Sequence, residues 1–248
     1  MSRRLARYHV HLFEWHCRTF HPFDRHLTDA ELEYLDASFA LADKEDERPT
    51  TGYRHFSYYS YSHRVRGREV NSTRFAYGTL SKPDLLWPKA HTVIEDRRIE
   101  LRRALPGFET FGFYGLGWDF LEGHFKVYFR VEDVDALSPA YRELMIDPPP
   151  HRREGLVSAT FVGTDLVERK VYFYPIEERE SSERALRTVT MATSARGSIS
   201  QLDVPGSEAW RNALNDEGRR IVDLYTSVGE RLDTLALEGP DAFTLYFP

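Results

Sequence analysis

From His124 to Val131 the chain alternates without interruption. Phe125, Val127, Phe129 and Val131 fall on one side of an extended backbone, and Lys126, Tyr128 and Arg130 on the other, because side chains two apart share a face of a strand. The same pattern returns three times. Val171 and Phe173 oppose Lys170, Tyr172 and Tyr174; Phe243, Leu245 and Phe247 oppose Thr244 and Tyr246; Phe75 and Tyr77 oppose Ser72, Arg74 and Ala76.

Turn residues bracket these runs into hairpins. Tyr53–Val65 and Glu69–Leu80 flank Arg66-Gly67-Arg68. Phe108–Asp119 and His124–Val131 flank Leu121-Glu122-Gly123. Leu156–Gly163 and Leu166–Tyr174 form a third pair. Leu186–Ala192 and Asp241–Pro248 read as single strands. Helical spacing appears elsewhere. Leu5–Phe20 fits a helix, though Tyr8, Val10 and Leu12 also alternate as a strand would. Thr28-Asp29-Ala30-Glu31 is a capping box ahead of Leu32, Leu35 and Phe39. Pro88–Leu105 reads as a helix ended by Pro106-Gly107, and Ser138-Pro139 starts one running to about Ile146. Ser207 opens a long helix carrying Trp210, Leu214, Ile221, Leu224, Val228, Leu232 and Leu235 to Gly239-Pro240. Asp43–Thr51 and Glu177–Arg184 are charged or polar loops.

Helices recurring between antiparallel hairpins must cover one face of a continuous sheet. With no low-complexity linker, residues 1–248 read as one domain of α+β class. The other face of that sheet either meets water, as antiparallel sheets often allow, or lines the lumen of a closed barrel with its helices outside. The polar faces favour the lumen, since they carry Tyr rather than the Thr and Glu of a wet surface.

Charge narrows the function. There are 33 basic and 39 acidic residues, net charge −6, which argues against a nucleic-acid scaffold. No run of about 18 apolar residues exists to span a membrane. The basic start Met1-Ser2-Arg3-Arg4 meets charged and His residues too soon for a signal peptide. The single cysteine, Cys17, permits no internal disulfide and makes a reducing cytoplasm the expected location. The ten His show no helical metal-binding pair, and Gly115-Leu116-Gly117 lies in a strand, not at a strand-to-helix turn.

Lysine is scarce: Lys44, Lys82, Lys89, Lys126 and Lys170 are all there are. Two of these five occupy equivalent mid-strand positions in the string Lys-Val-Tyr-Phe. In a closed barrel Arg74, Lys126 and Lys170 would converge. Like charges in a sheltered space repel and lose hydration, so such a cluster suits a polyanion. Tyrosine faces beside it would stabilise a cation. An anion clamp beside an aromatic wall fits a substrate that separates into an anion and a carbocation, as an allylic diphosphate does.

Repeated Lys-x-Tyr strands in this setting resemble the ABBA, or PT-barrel, prenyltransferases, and among them the cyanobactin-type peptide prenyltransferases. The similar stretches are Ser72-Thr73-Arg74-Phe75, His124–Val131, Leu156–Tyr174 and the final helix and strand ending Thr244-Leu245-Tyr246-Phe247. The resemblance implies an antiparallel barrel of about 8–10 strands wrapped by an outer ring of helices. It implies transfer of a dimethylallyl, geranyl or longer isoprenyl group from its diphosphate to a side chain of a cyclic or linear peptide, with Mg²⁺ bound through the diphosphate; a monomer is expected. By that resemblance Arg74, Lys126 and Lys170 bind diphosphate, and Tyr128, Tyr172, Tyr174 and Tyr246 hydrogen-bond to it or shield the allyl cation. Such families carry a glutamate base one strand earlier. The corresponding run here, His55–His63, holds no carboxylate, which leaves His55, His63 and Asp119 as candidate bases. The Tyr174–Leu186 segment is also shorter than the family's. Two other readings stand beside this one: a prenyltransferase for small aromatic molecules, and a non-catalytic barrel that binds a lipophilic ligand.

Overall fold

The capping box at Thr28 forms as its residues require. Glu31 N donates to Thr28 Oγ1 at 3.2 Å, and Thr28 N donates to Glu31 Oε2 at 2.8 Å, satisfying two otherwise unpaired amides. Glu31 does more: its Oε1 accepts from the Trp118 indole at 2.9 Å, tying the helix to the sheet. In this computed structural model the described residues are 2–20, 27–45, 57–79, 83–145, 150–175, 180–181, 186–194, 197–203, 208–239 and 242–247.

Five α-helices are present among them: α1 (Ser2–Phe20), α2 (Asp29–Glu45), α3 (Pro83–Ile94), α4 (Arg98–Ala104) and α5 (Asp216–Ser227). The strands are β1 (Ser57–Arg66), β2 (Glu69–Thr79), β3 (Gly112–Asp119), β4 (His124–Val131), β5 (His151–Val162), β6 (Asp165–Pro175), β7 (Glu180–Ser181), β8 (Leu186–Ser194), β9 (Gly197–Asp203), β10 (Thr234–Gly239) and β11 (Ala242–Phe247). They make one antiparallel sheet in the order β6-β5-β4-β3-β2-β1-β11-β10-β9-β8-β7. The sheet curls strongly. β6 pairs β8 as well as β5, through Val171↔Thr193, Tyr172↔Ala192 and Phe173↔Met191. The ladder therefore returns on itself, and the fold is α+β and barrel-like.

The helices lie against the apolar face, with α1 on β2, α3 on β3 and α4 on β6. Their shared core is rich in Phe125, Phe129, Phe161, Phe173, Phe243 and Phe247, each no more than 2% exposed. At about 25 cal/mol per Å² of apolar surface removed from water, these rings dominate the folding energy. The Tyr34 hydroxyl reaches between β2 and β3, donating to Tyr77 O at 3.3 Å and accepting from Leu116 N at 3.2 Å. It does so beside a register shift at Phe113/Gly115. A Cβ at Gly115 would come within 2.1 Å of Tyr77 O, so only glycine fits that close approach.

Several sequence expectations need correction. The helix expected from Pro88 begins at Pro83, with Pro88 inside it. Residues 139–144 form a 3-10 helix rather than an α-helix. The long helix expected from Ser207 to Gly239 is a 3-10 turn over 208–213, then α5, then β10. Leu235, which continues the helical spacing of Leu232, belongs to that strand, where Leu235 and Leu237 are two apart as one strand face requires. β9 lacks the apolar alternation that marks the other strands. Leu32, expected on one helix face with Leu35 and Phe39, is 47% exposed, while Leu35 and Phe39 are buried. Among the described residues no helix is long and apolar enough to cross a membrane.

Candidate functional site

Register decides which side chains meet. Lys126 pairs Gly117 on β3 and Thr160 on β5; Tyr128 pairs Ser158, and Ser158 pairs Lys170. Arg74 pairs Asp119 on one side and Ser62 on the other, and Ser62 pairs Tyr246. All these residues share the face opposite the helices, which curling turns inward. β2 and β3 contribute glycine or alanine there, at Ala76, Gly78, Gly115 and Gly117. The Tyr114 ring fills the space beside Gly78, and the Tyr128 ring of β4 lies over Gly117.

Arg74, Lys126 and Lys170 lie on one face of the sheet, near enough to influence one another's charge. Lys126 Nζ donates to the Tyr172 hydroxyl at 2.6 Å. It lies 4.8 Å from the Tyr128 ring centre and 5.2 Å from that of Tyr172, within cation–π range. The Tyr128 and Tyr172 rings are 6.1 Å apart. Lys170 and Arg74 both act electrostatically on Lys126, and Tyr246 acts on Arg74, Tyr128, Lys170 and Tyr172.

The three cations are not equivalent. Arg74 Nε sits 3.6 Å from Asp119 Oδ2, and Lys170 Nζ sits 3.0 Å from Glu168 Oε2. Burial works against the charge on Arg74, but Tyr246 and Asp119 outweigh it and its pKa is raised. Burial likewise opposes the charge on Lys170, and Tyr172 and Glu168 outweigh it. Lys126 forms no ion pair among the described residues. Burial, aided by the Lys170 and Arg74 charges, pulls its pKa down to about 8. Arg74 Nη1 is buried without a hydrogen-bond partner among the described residues. The side chains of Arg74 and Lys170 still keep 21% and 16% exposure. Arg74 and Lys170 are thus largely buried groups that keep some contact with solvent.

The tyrosines stay protonated. Burial pushes Tyr128 up to about 12 and raises Tyr172, so each offers a hydroxyl donor rather than a phenolate. Tyr174 is on the same face, also pushed up to about 12 by burial, but its charged neighbours are Arg130 and Glu154. With Tyr114, Tyr128, Leu156 and Tyr172 it forms a separate apolar cluster inside the curl.

The candidate bases fare differently. His55 lies outside the described residues. His63 is fully buried on the helix side of β1, where its Nε2 meets the Tyr225 hydroxyl at 3.0 Å. It packs against Phe20 and Phe247 and does not face Lys126. Side chains two apart share a strand face, so His63 goes with Tyr61 and Val65 into the core, while Ser62 lies on the other face with Arg74 and Tyr246. Asp119 does face inward, but it is engaged. Asn71 Nδ2 donates to its Oδ1 and Oδ2 at 3.0 and 2.9 Å, and Glu122 N donates to Oδ1 at 3.1 Å. That pattern holds the β3–β4 turn. Glu168 was missed by the sequence reading, although it shares a strand face with Lys170 two residues on.

Asp119, Glu122 and His124 bring ligand atoms within 4.8 Å of one another. Arg74 and Arg64 already lie 3.6 Å from Asp119 and Glu122 respectively. Two guanidinium groups neutralise these carboxylates, so the donor set does not fit a resident metal ion. No protein-family model and no curated protein sequence matches the chain.

Proposed function

We propose that the protein is a PT-barrel prenyltransferase that moves a dimethylallyl or longer isoprenyl group from its diphosphate to a side chain of a ribosomal peptide. One observation carries this reading: Arg74, Lys126 and Lys170 gather on the inward face of a curled antiparallel sheet, among the hydroxyls and ring faces of Tyr128, Tyr172 and Tyr246. In this reading the basic groups hold the diphosphate and stabilise it as the allylic C–O bond breaks. The tyrosine hydroxyls donate to its oxygens, and the rings shield the carbocation. The acceptor nucleophile then attacks, and a base takes its proton.

Charge arithmetic bears on Mg²⁺. Three cations face two carboxylates, Asp119 and Glu168, which leaves a single net positive charge. A diphosphate needs more than that, and a Mg²⁺ ion arriving on the diphosphate supplies it. The protein's own part is to bind, orient and exclude water.

A second reading keeps the fold and makes the protein a non-catalytic carrier of a lipophilic anion. The near-balance of charge favours a singly charged ligand, and the Tyr114, Leu156 and Tyr174 cluster offers apolar lining. A prenyltransferase for small aromatic acceptors is a variant of the first. One experiment separates them. The protein is incubated with Mg²⁺, dimethylallyl or geranyl diphosphate, and either a mixed peptide panel or free tryptophan and phenols. A peptide mass gain of one or two isoprene units supports the main reading. Products only on small aromatics support the variant, and tight binding with no product supports the carrier.

A further inference from the structure

The proposed function uses Lys126 as a cation, but its setting suits a second chemistry. An amine becomes a nucleophile when burial and neighbouring cations disfavour its protonated form. Lys126 meets both conditions: Arg74 and Lys170 have carboxylates at 3.6 and 3.0 Å, whereas Lys126 has no ion pair among the described residues and feels Glu168 only at longer range. Its close polar partner is the Tyr172 hydroxyl, 2.6 Å away. Burial keeps that phenol protonated, so it can donate to the oxygen of a reacting carbonyl. Arg74 Nη1, buried with no partner among the described residues, and Lys170 stand ready beside it for an anionic group.

We propose that Lys126 is a covalent capture site for small aldehydes bearing a phosphate group, which it holds as an imine. The Nζ lone pair forms a bond to the carbonyl carbon while the carbonyl π pair moves to oxygen, which takes a proton from the Tyr172 side. Nitrogen then forms the C=N bond as the hydroxyl leaves. The two protons lost from the amine leave with that oxygen as water, and Tyr172 regains its own. No oxidant or reductant enters. The phosphate lies against Arg74 and Lys170. This inference does not depend on prenyl transfer, only on the same anion-binding groups.

The test uses the full chain at about pH 8 with glycolaldehyde phosphate and sodium cyanoborohydride, which reduces an imine to a stable secondary amine. Peptide mass mapping then compares Lys126 with Lys89, an exposed lysine. The expected result is preferential modification of Lys126, slowed about tenfold or more by inorganic pyrophosphate, and slower again with glycolaldehyde lacking the phosphate. Modification of Lys89 with Lys126 untouched overturns the proposal. So does modification of Lys126 that pyrophosphate leaves unchanged. The map of the unaltered protein decides the question by itself. Lys126→Arg adds a check: if it folds, it loses the adduct, and an undiminished total adduct contradicts the proposal.

Discussion

Lys126 Nζ and the Tyr172 hydroxyl meet at 2.6 Å although 46 residues separate them in the chain. The contact joins β4 to β6 across β5, and its partner strand also carries Lys170 and Glu168. Removing either lysine is therefore not the same operation. Lys126→Ala deletes a cation that has no carboxylate partner among the described residues. Lys170→Ala deletes a cation and also leaves Glu168 unopposed near the anion site. A hydrogen bond to a charged group contributes about 1.5–3 kcal/mol, or roughly 10–100-fold in affinity. We expect both variants to weaken pyrophosphate binding by about that much, Lys170→Ala more severely. Adding Glu168→Gln to Lys170→Ala should recover part of the loss, a coupling that titration calorimetry on the four proteins of the cycle would measure. Equal, additive losses would contradict the pairing.

The lowered pKa of Lys126 has a sign that can be checked. At neutral pH the amine is mostly protonated and holds an anion; above about pH 8 it deprotonates in the free protein. A bound polyanion favours the charged form, so binding at high pH must draw a proton from solvent. Pyrophosphate affinity should fall as pH rises from 7 to 10, approaching tenfold per unit above the free-state pKa. Stability runs the other way. The unfolded chain, with an ordinary lysine pKa near 10.4, binds more protons than the folded one between about pH 8 and that value. Lys126 thus adds to folding stability as pH climbs through that window. Calorimetry at matched ionic strength reads the first effect. A pH-independent affinity would remove Lys126 from the anion site.

How far the sequence carried the reading can be seen in particular residues. The Phe125/Lys126 and Tyr172/Phe173 alternations placed their strands and faces correctly, because a half-buried strand must alternate. Tyr246 also read correctly as an inward residue. What alternation cannot carry is pairing across the sheet. The Arg74–Asp119 pair depends on the register of β2 against β3, whereas Lys170 and Glu168 share a face of one strand two residues apart, a pair that alternation does show. His63, by contrast, follows plain alternation: with Tyr61 and Val65 two residues to either side it belongs to the core face, a signal already present in the strand pattern. β9 and β10 were illegible because Gly197–Asp203 has little apolar patterning and Leu235, three residues after Leu232, continues the helical spacing of the segment before it.

His16, Tyr225 and His63 form a buried chain between α1, α5 and β1. His16 Nδ1 lies 2.6 Å from the Tyr225 hydroxyl and His63 Nε2 lies 3.0 Å from it. Burial lowers His16 to about 3, and burial together with His16 lowers His63 well below its ordinary value. In the unfolded chain both would titrate near 6.5. Below that pH the unfolded state binds more protons, and folding stability falls as pH drops from 6.5 toward 3. The slope is at most about 1.4 kcal/mol per unit for each histidine. Urea denaturation across pH 4–7 should show it, and His16→Gln should flatten it. Tyr225→Phe removes the shared hydroxyl and should cost about 1–3 kcal/mol at pH 7. An acid limb of the same steepness after His16→Gln would assign the sensitivity elsewhere.

Asp119 presents the case where a catalytic and a structural role predict opposite results. Its oxygens take the Asn71 amide and the Glu122 backbone N–H, so it anchors the β3–β4 turn to β2. Asn71 Oδ1 in turn accepts from Thr73 N at 3.1 Å, closing a loop of bonds next to Arg74. Asn71→Ala breaks this arrangement without touching any group able to take a proton. If Asp119 is structural, Asn71→Ala and Asp119→Ala should each lower stability by about 1–3 kcal/mol, the cost of leaving buried polar groups unmade. Both should reduce ligand binding through the Arg74 position, and by comparable factors. Were Asp119 instead a general base, Asp119→Asn would abolish product formation with pyrophosphate affinity intact, while Asn71→Ala would change turnover little. Thermal denaturation, pyrophosphate titration and product formation on the three variants distinguish these outcomes. The bond pattern around Asp119 favours the first, because both of its oxygens are already committed to N–H donors of β2 and of the turn.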